Sequence, residues 1–199
     1  MRLSPCSRLT LTLVRALAAA IFGLPLLWAL LAALRPAGTP LAAPLLAVRP
    51  TLDAFGRLFA VLPVWRFTAN SLLVAAIAVP LTLLTASWAG FAMARRPRPA
   101  QRRWVVVSLM ALMVPGVALW PSRFLLYSRV GLIDTYGALL APALMGSSPF
   151  YVLMFYRAFR RIPAALYDAA QLDGAGVLAM WGRVALPIAR PTAAAVAVL

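Results

Sequence analysis

Four stretches of this 199-residue chain run for 19 residues or more without a charged side chain, and nothing else in the sequence constrains its fold as tightly. They are Ala16–Leu34, Phe67–Ala94, Trp104–Ser122 and Thr135–Tyr156, of 19, 28, 19 and 22 residues, each bounded by arginine or aspartate. About 20 apolar residues in a helix cross the ~30 Å hydrocarbon core of a bilayer. In lipid a single segment satisfies its own backbone groups only as a helix. The expected fold class is therefore all-α, a polytopic integral membrane protein with four complete spans. A fifth run, Pro191–Leu199, has nine residues. At ~1.5 Å per residue that is about 13 Å of helix, under half a crossing. The sequence is expected to continue in a longer protein. A mean hydropathy of +0.91, with 64% hydrophobic and 12% charged residues, leaves too little polar surface to cover a water-soluble globule.

All 19 basic residues are arginines, against only Asp53, Asp134, Asp168 and Asp173, for a net charge of +15. The arginines bracket the apolar runs instead of lining one solvated face, which argues against a nucleic-acid partner. With no histidine and one cysteine, Cys6, read as an unpaired thiol, the chain offers no His/Cys metal site, no Ser/His/Asp triad and no internal disulfide.

Arginine placement sets the orientation, because basic loops stay on the cytoplasmic side. With the N-terminus inside, the inner segments carry twelve arginines (2, 8, 15; 95, 96, 98, 102, 103; 157, 160, 161, 183) and the outer segments six (35, 49, 57, 66, 123, 129). The N-terminus is therefore expected on the cytoplasmic side. The first run exceeds a signal-peptide core of 7–15 residues and is read as an uncleaved anchor. Residues 1–66 would form this anchor and an outer segment, and residues 67–199 a membrane core. The outer segment is Pro-rich (Pro36, Pro40, Pro44, Pro50) before Leu52, Phe55, Leu58 and Phe59 recur at helical spacing, so a short surface helix is expected there. Pro80 and Pro115 are read as local bends and Asp134 as a cap for the fourth span. Trp120, Tyr127, Tyr136, Tyr151 and Tyr156 are assigned to the interfacial aromatic belt.

The segment between spans four and five, residues 157–183, holds two of the four acids. Pro163 suits a first helical turn, Ala164–Leu172 are good helix formers, and Asp173-Gly174 is a turn with Gly174 able to adopt the left-handed conformation. A second short helix over about 177–184 precedes Leu186-Pro187. Ala165, Ala169 and Leu172 share one face, with Asp168 off it. This helix–turn–helix is either an amphipathic loop on lipid headgroups or an element that docks in a protein groove, where small side chains permit close approach.

The run DAAQLDGA (Asp168, Ala169, Ala170, then Asp173, Gly174, Ala175), followed by LPIARP with Leu186 and Pro187, resembles the EAA signature of binding-protein-dependent ABC importer permeases. TLDAFGRLF with Asn70-Ser71, and YSRVGLIDTYGALLAPAL at 127–144, are similar to the sugar branch of that family, the maltose and glycerol-3-phosphate type. The resemblance covers the chain from about Thr51. Asp168 departs from the usual glutamate, keeping the charge one methylene shorter, and the family has six spans in its type I permease fold.

That resemblance implies a permease subunit forming half of a translocation path for a sugar or sugar-like solute. It would pair with a homologous permease, two cytoplasmic ATP-binding subunits and an extracytoplasmic solute-binding protein that meets the outer loops. The loop 157–183 would be the ATPase-coupling loop, framed by Pro163, Leu186 and Pro187. Asp168 would be its charged contact, Ala169 and Ala170 its close-packing surface, and Asp173-Gly174 the turn that sets its angle. No cofactor is expected in this chain and it is not expected to be an enzyme, since it has no lysine and no G-x-x-x-x-G-K-[ST] run for ATP. The alternatives are a permease for a polyol or glycerol-3-phosphate, and a self-contained channel, carrier or scaffold. The absence of ionisable groups within the four runs weighs against an ion-coupled carrier.

Overall fold

The computed structural model describes residues 5–36, 38–39 and 49–199, with side chains from residue 11 onward. The side chain of Cys6 and most of the Pro-rich outer stretch, including Pro40 and Pro44, lie outside the described residues. All regular structure among the described residues is helical. The chain divides into two compact units, Met1–Thr68 and Ala69–Leu199.

The first unit holds α1 (Pro5–Ala33) and α2 (Asp53–Val61). From Ala16 to Ala33 helix α1 carries no charged residue, and the side chains from Leu11 to Leu30 are exposed apart from half-buried Gly23, as suits a helix facing lipid. Helix α2 covers the stretch where Leu52, Phe55, Leu58 and Phe59 recur, and buries none of its residues. Phe59 packs on Trp65, with ring centroids 5.7 Å apart.

In the second unit, nearly all of α3 (Val64–Ala94) is followed by α4 (Arg98–Met113), α5 (Trp120–Arg129), α6 (Tyr136–Leu144) and α7 (Pro149–Arg160). After these come α8 (Ala164–Leu172), α9 (Val177–Ile188) and α10 (Arg190–Val198). Three stretches are long and apolar enough to cross a membrane: Leu11–Ala33, Val64–Ala94 and Tyr136–Arg160. The third expected span is not straight. Helices α4 and α5 meet at 84° across a turn at 114–115, and count as a fourth span only if the bent pair is one crossing. Pro115 removes a backbone donor and drives Val114 into extended geometry (ψ 118°), and the chain resumes in a new direction as a short 3-10 turn, Gly116–Leu119, that leads into α5. Pro80, flanked by strong apolar helix formers, leaves α3 unbroken. The two prolines expected to act alike therefore differ.

The fourth span is also interrupted. Gly146 and Ser147 both take left-handed backbone (φ 76° and 56°), and Ser148 caps α7 by accepting from the Phe150 N–H at 3.2 Å. Pro149 then occupies the first helical turn, where it needs no donor. The strained turn is held from α3: the hydroxyls of Thr82 and Ser147 are 2.6 Å apart, and Thr85 donates to the Ala143 carbonyl at 2.7 Å. Thr82→Val removes one half of the hydroxyl pair and is expected to cost about 1 kcal/mol, read as a lower unfolding temperature in detergent.

Small residues let α3 approach this turn and α7. Ala86 is fully buried, and a Cβ on Gly90 would lie 2.7 Å from the Phe155 Cβ, 2.8 Å from the Tyr156 nitrogen and 2.9 Å from the Val152 carbonyl oxygen. Where lipid replaces water there is no hydrophobic drive between helices, and close backbone packing of this kind holds them together. Phe91, Phe155, Phe159, Met180 and Ala185 belong to the same buried cluster.

Asp134 does not cap the fourth span. It sits in left-handed backbone (φ 59°) one residue early, and Thr135 occupies the cap position, its hydroxyl donating instead to the Leu132 carbonyl at 2.8 Å. Tyr156 leaves the aromatic belt for the interior: it is buried, and its hydroxyl donates to Gln101 Oε1 at 3.1 Å.

Candidate functional site

Residues 157–183 form an elbow that begins on the last turn of α7. Arg157 and Arg160 stand in that turn, where positive charge complements the helix dipole. Pro163 lies just outside α8 as its N-cap residue, one position before the first turn expected of it. Helix α8 then ends in a Schellman motif. The Ala175 N–H donates to the Ala170 carbonyl at 2.8 Å and the Gly174 N–H to the Gln171 carbonyl at 3.0 Å. Between them Gly174 takes φ 78°, a conformation that other L-residues adopt at a cost of about 1–2 kcal/mol.

The second arm runs further than expected, from Val177 through Ile188. It passes through a π-helical segment, Met180–Ala185, in which the Leu186 N–H reaches back to the Trp181 carbonyl. Pro187 explains the widening. In a regular turn its ring would crowd the carbonyl of Arg183, four residues back, and it has no donor to offer that carbonyl. Ala189 breaks the helix before α10 begins at Arg190.

The elbow is attached on one side only. In α8 Tyr167 is buried and Ala170 half-buried, while Ala164, Ala165, Leu166, Asp168, Ala169, Gln171 and Leu172 are exposed. The face shared by Ala165, Ala169 and Leu172 lies opposite Tyr167 and is open, with Leu172 at 89% exposure. Asp168 in α8 and Asp173 at its C-cap are both exposed, so the elbow offers two carboxylates and an open small-residue face to its surroundings. Ala175 is half-buried against the core beside Ala170, and Leu186 and Pro187 are half-buried in α9.

Three residues that hold this arrangement escaped sequence reasoning. Tyr167 packs its ring 6.0 Å from that of Phe91 and beneath the Arg95 guanidinium, 4.7 Å away. Burial raises the Tyr167 phenol above its ordinary pKa and the Arg95 charge partly offsets the rise, so the ring stays neutral at physiological pH. Arg95 had served only as a topology marker. Gln101, buried, donates to the carbonyls of Ala94 and Arg96 at 3.0 and 2.7 Å, capping α3 and tying the α3–α4 turn to Tyr156. The available signal for Tyr167 was its three-residue spacing from Ala170, opposite the alanine face.

Residues 82–199 match the family described as the binding-protein-dependent transport system inner membrane component. The diacetylchitobiose uptake system permease protein of Streptomyces coelicolor is 29% identical over 175 residues, 87% of this chain and 58% of that protein. The arabinooligosaccharides transport system permease protein of Halalkalibacterium halodurans is 31% identical over 150 residues, 75% of this chain and 53% of its own length. The lactose transport system permease protein of Rhizobium radiobacter is 34% identical over 130 residues, 65% of this chain and 47% of its own. The chain thus spans about half the length of the curated relatives it matches. Its fold superposes with a TM-score of 0.72 on a chain of a bacterial ABC transporter involved in the import of the acidic polysaccharide alginate. The two share 22% identity, and the match covers all of this chain and 71% of the other. The type I importer permease fold, the helices long and apolar enough to span a membrane, and the match over residues 82–199 place this chain in the family of binding-protein-dependent transport inner membrane components.

Proposed function

We propose that the chain is a permease subunit of an ATP-driven importer for a sugar or oligosaccharide. It pairs with a homologous permease and takes its power stroke through the elbow at 157–183. The observation that carries this is the one-sided elbow. A helix that buries Tyr167 and leaves Asp168, Ala169 and Leu172 open offers small side chains and negative charge to a partner groove. Carbohydrate as the solute class follows the relatives, whose names specify diacetylchitobiose, arabinooligosaccharides and lactose. The arginine asymmetry puts the elbow and the 95–103 turn on the cytoplasmic side, where two ATP-binding subunits reach them. The opposite face receives a loaded solute-binding protein.

In this scheme Asp168 is the charged contact and Ala169 and Ala170 allow close approach. Asp173-Gly174 fixes the angle between the two arms, and Pro163, Leu186 and Pro187 frame them. The test is reconstitution of the full-length protein with its partner permease, ATPase and binding protein in proteoliposomes. ATP hydrolysis that rises with sugar-loaded binding protein, together with sugar uptake, is the expected result. Hydrolysis indifferent to the binding protein would refute the proposal. Asp168→Lys reverses the exposed charge, and like-charge contacts at an interface cost several kcal/mol. Uptake should fall by at least about tenfold, with the amount of protein in the membrane unchanged.

A further inference from the structure

The two arms of the elbow grip the same helix. From α8, Tyr167 meets Phe91 of α3 and Arg95 just beyond its C-terminal end. From α9, Trp181 meets Trp88 of α3 edge-on, with centroids 5.1 Å apart. Trp88 and Phe91 are themselves 6.3 Å apart, so the grip is one continuous aromatic patch around the last two turns of α3. Phe91 continues it to Phe159 of α7 at 5.8 Å, edge to face. Aromatic pairs at these separations and tilts are attractive beyond the area they bury. A guanidinium over a ring adds a further directional contact. The phenol oxygen of Tyr167 and the indole nitrogen of Trp181 are buried without hydrogen-bond partners among the described residues. The rings, not their polar atoms, therefore make the attachment.

Taking the importer reading above as its basis, we infer that Tyr167 and Trp181 are positioning residues that clamp the coupling elbow to α3. Displacement of the elbow by the ATPase is thereby delivered to that membrane helix first. Helix α8 is asymmetric: its open face is free to be pushed, while among the described residues it turns buried Tyr167 and half-buried Ala170 toward the core. The Schellman turn fixes the chain's path out of α8, and α8 packs against the Met180–Ala185 stretch of α9, so a push on α8 is shared by Trp181. A well-packed aromatic patch transmits displacement because protein interiors resist compression.

The test uses the reconstituted transporter and the ratio of ATP hydrolysis with loaded binding protein to hydrolysis without it. Tyr167→Ala should leave basal hydrolysis and subunit assembly in place while that ratio and uptake fall about tenfold, the size of a typical coupling energy between sites. Tyr167→Phe, which keeps the ring, should restore both. Arg95→Gln, at an exposed position, should lower the ratio by a smaller factor without touching the core. A Tyr167→Ala transporter with wild-type stimulation and uptake overturns the clamp and leaves the importer assignment standing. If Tyr167→Ala fails to accumulate, wild-type stimulation in Arg95→Gln overturns it equally. A wild-type complex with no stimulation at all removes the importer reading, and the clamp with it.

Discussion

Gly90→Leu should prevent the protein from accumulating in a folded form in the membrane. Even a lone Cβ at this position lands 2.7–2.9 Å from three atoms of α7, two of them backbone, so no rotamer change on the partner helix can make room. Overpacking of a well-filled core costs about 1–3 kcal/mol where side chains can shift. Gly90→Ala should reach the upper end of that range and leucine exceed it, because α3 and α7 must separate along their length. The Thr82–Ser147 and Thr85–Ala143 bonds beside the contact would be lost with it. Monodispersity and melting temperature in detergent check this. A Gly90→Leu protein with wild-type melting would mean the two helices are not packed as described.

Gly174→Pro should abolish transport while leaving the protein in the membrane at normal levels. Proline is confined to φ near −65° and cannot reach the 78° that the turn requires. It also deletes the N–H that donates to Gln171, a hydrogen bond worth about 0.5–1.5 kcal/mol. The damage stays local because the space around Gly174 is open and Gly174 itself is exposed, with only the edge of the buried cluster, at Ala170 and Ala175, beside it. Gly174→Ala isolates the conformational part: with nothing within 4 Å of its Cβ, it should show only the left-handed strain of about 1–2 kcal/mol. Its uptake should fall between wild type and the proline variant. Uptake by Gly174→Pro at the wild-type rate would mean that the angle between the elbow's arms is irrelevant to transport.

The helices were legible from charge alone. A span in lipid must be long, apolar and internally hydrogen-bonded, and Val64–Ala94 announces itself in those terms. The interruptions were not, because hydropathy averages over them. Met145 to Pro149 lies in the middle of a charge-free run, and only the Gly-Ser-Ser-Pro order betrays a turn. Val114-Pro115-Gly116 looks, in sequence, like a tolerable kink of the kind Pro80 makes. Whether the helix resumes depends on its neighbours, and here it resumes 84° away. In the elbow, Gly174 was readable because its conformation is a local backbone property. Tyr167, Arg95 and Gln101 were not, because their roles depend on which distant helix faces them. Arginine counting records Arg95 as a charge and is blind to the ring beneath it.

Whether the open face of α8 seats in an ATPase subunit can be read by site-directed cross-linking from that face. Single cysteines at Leu172 and Ala169 would be introduced into the assembled transporter and reacted with a short bifunctional reagent. Both should join to the ATP-binding subunit, with yields that change on adding ATP, while a cysteine at Val117 in the turn between α4 and α5 does not. Exposure of both positions to aqueous reagents alone, with no ATPase adduct in any nucleotide state, would contradict the claim.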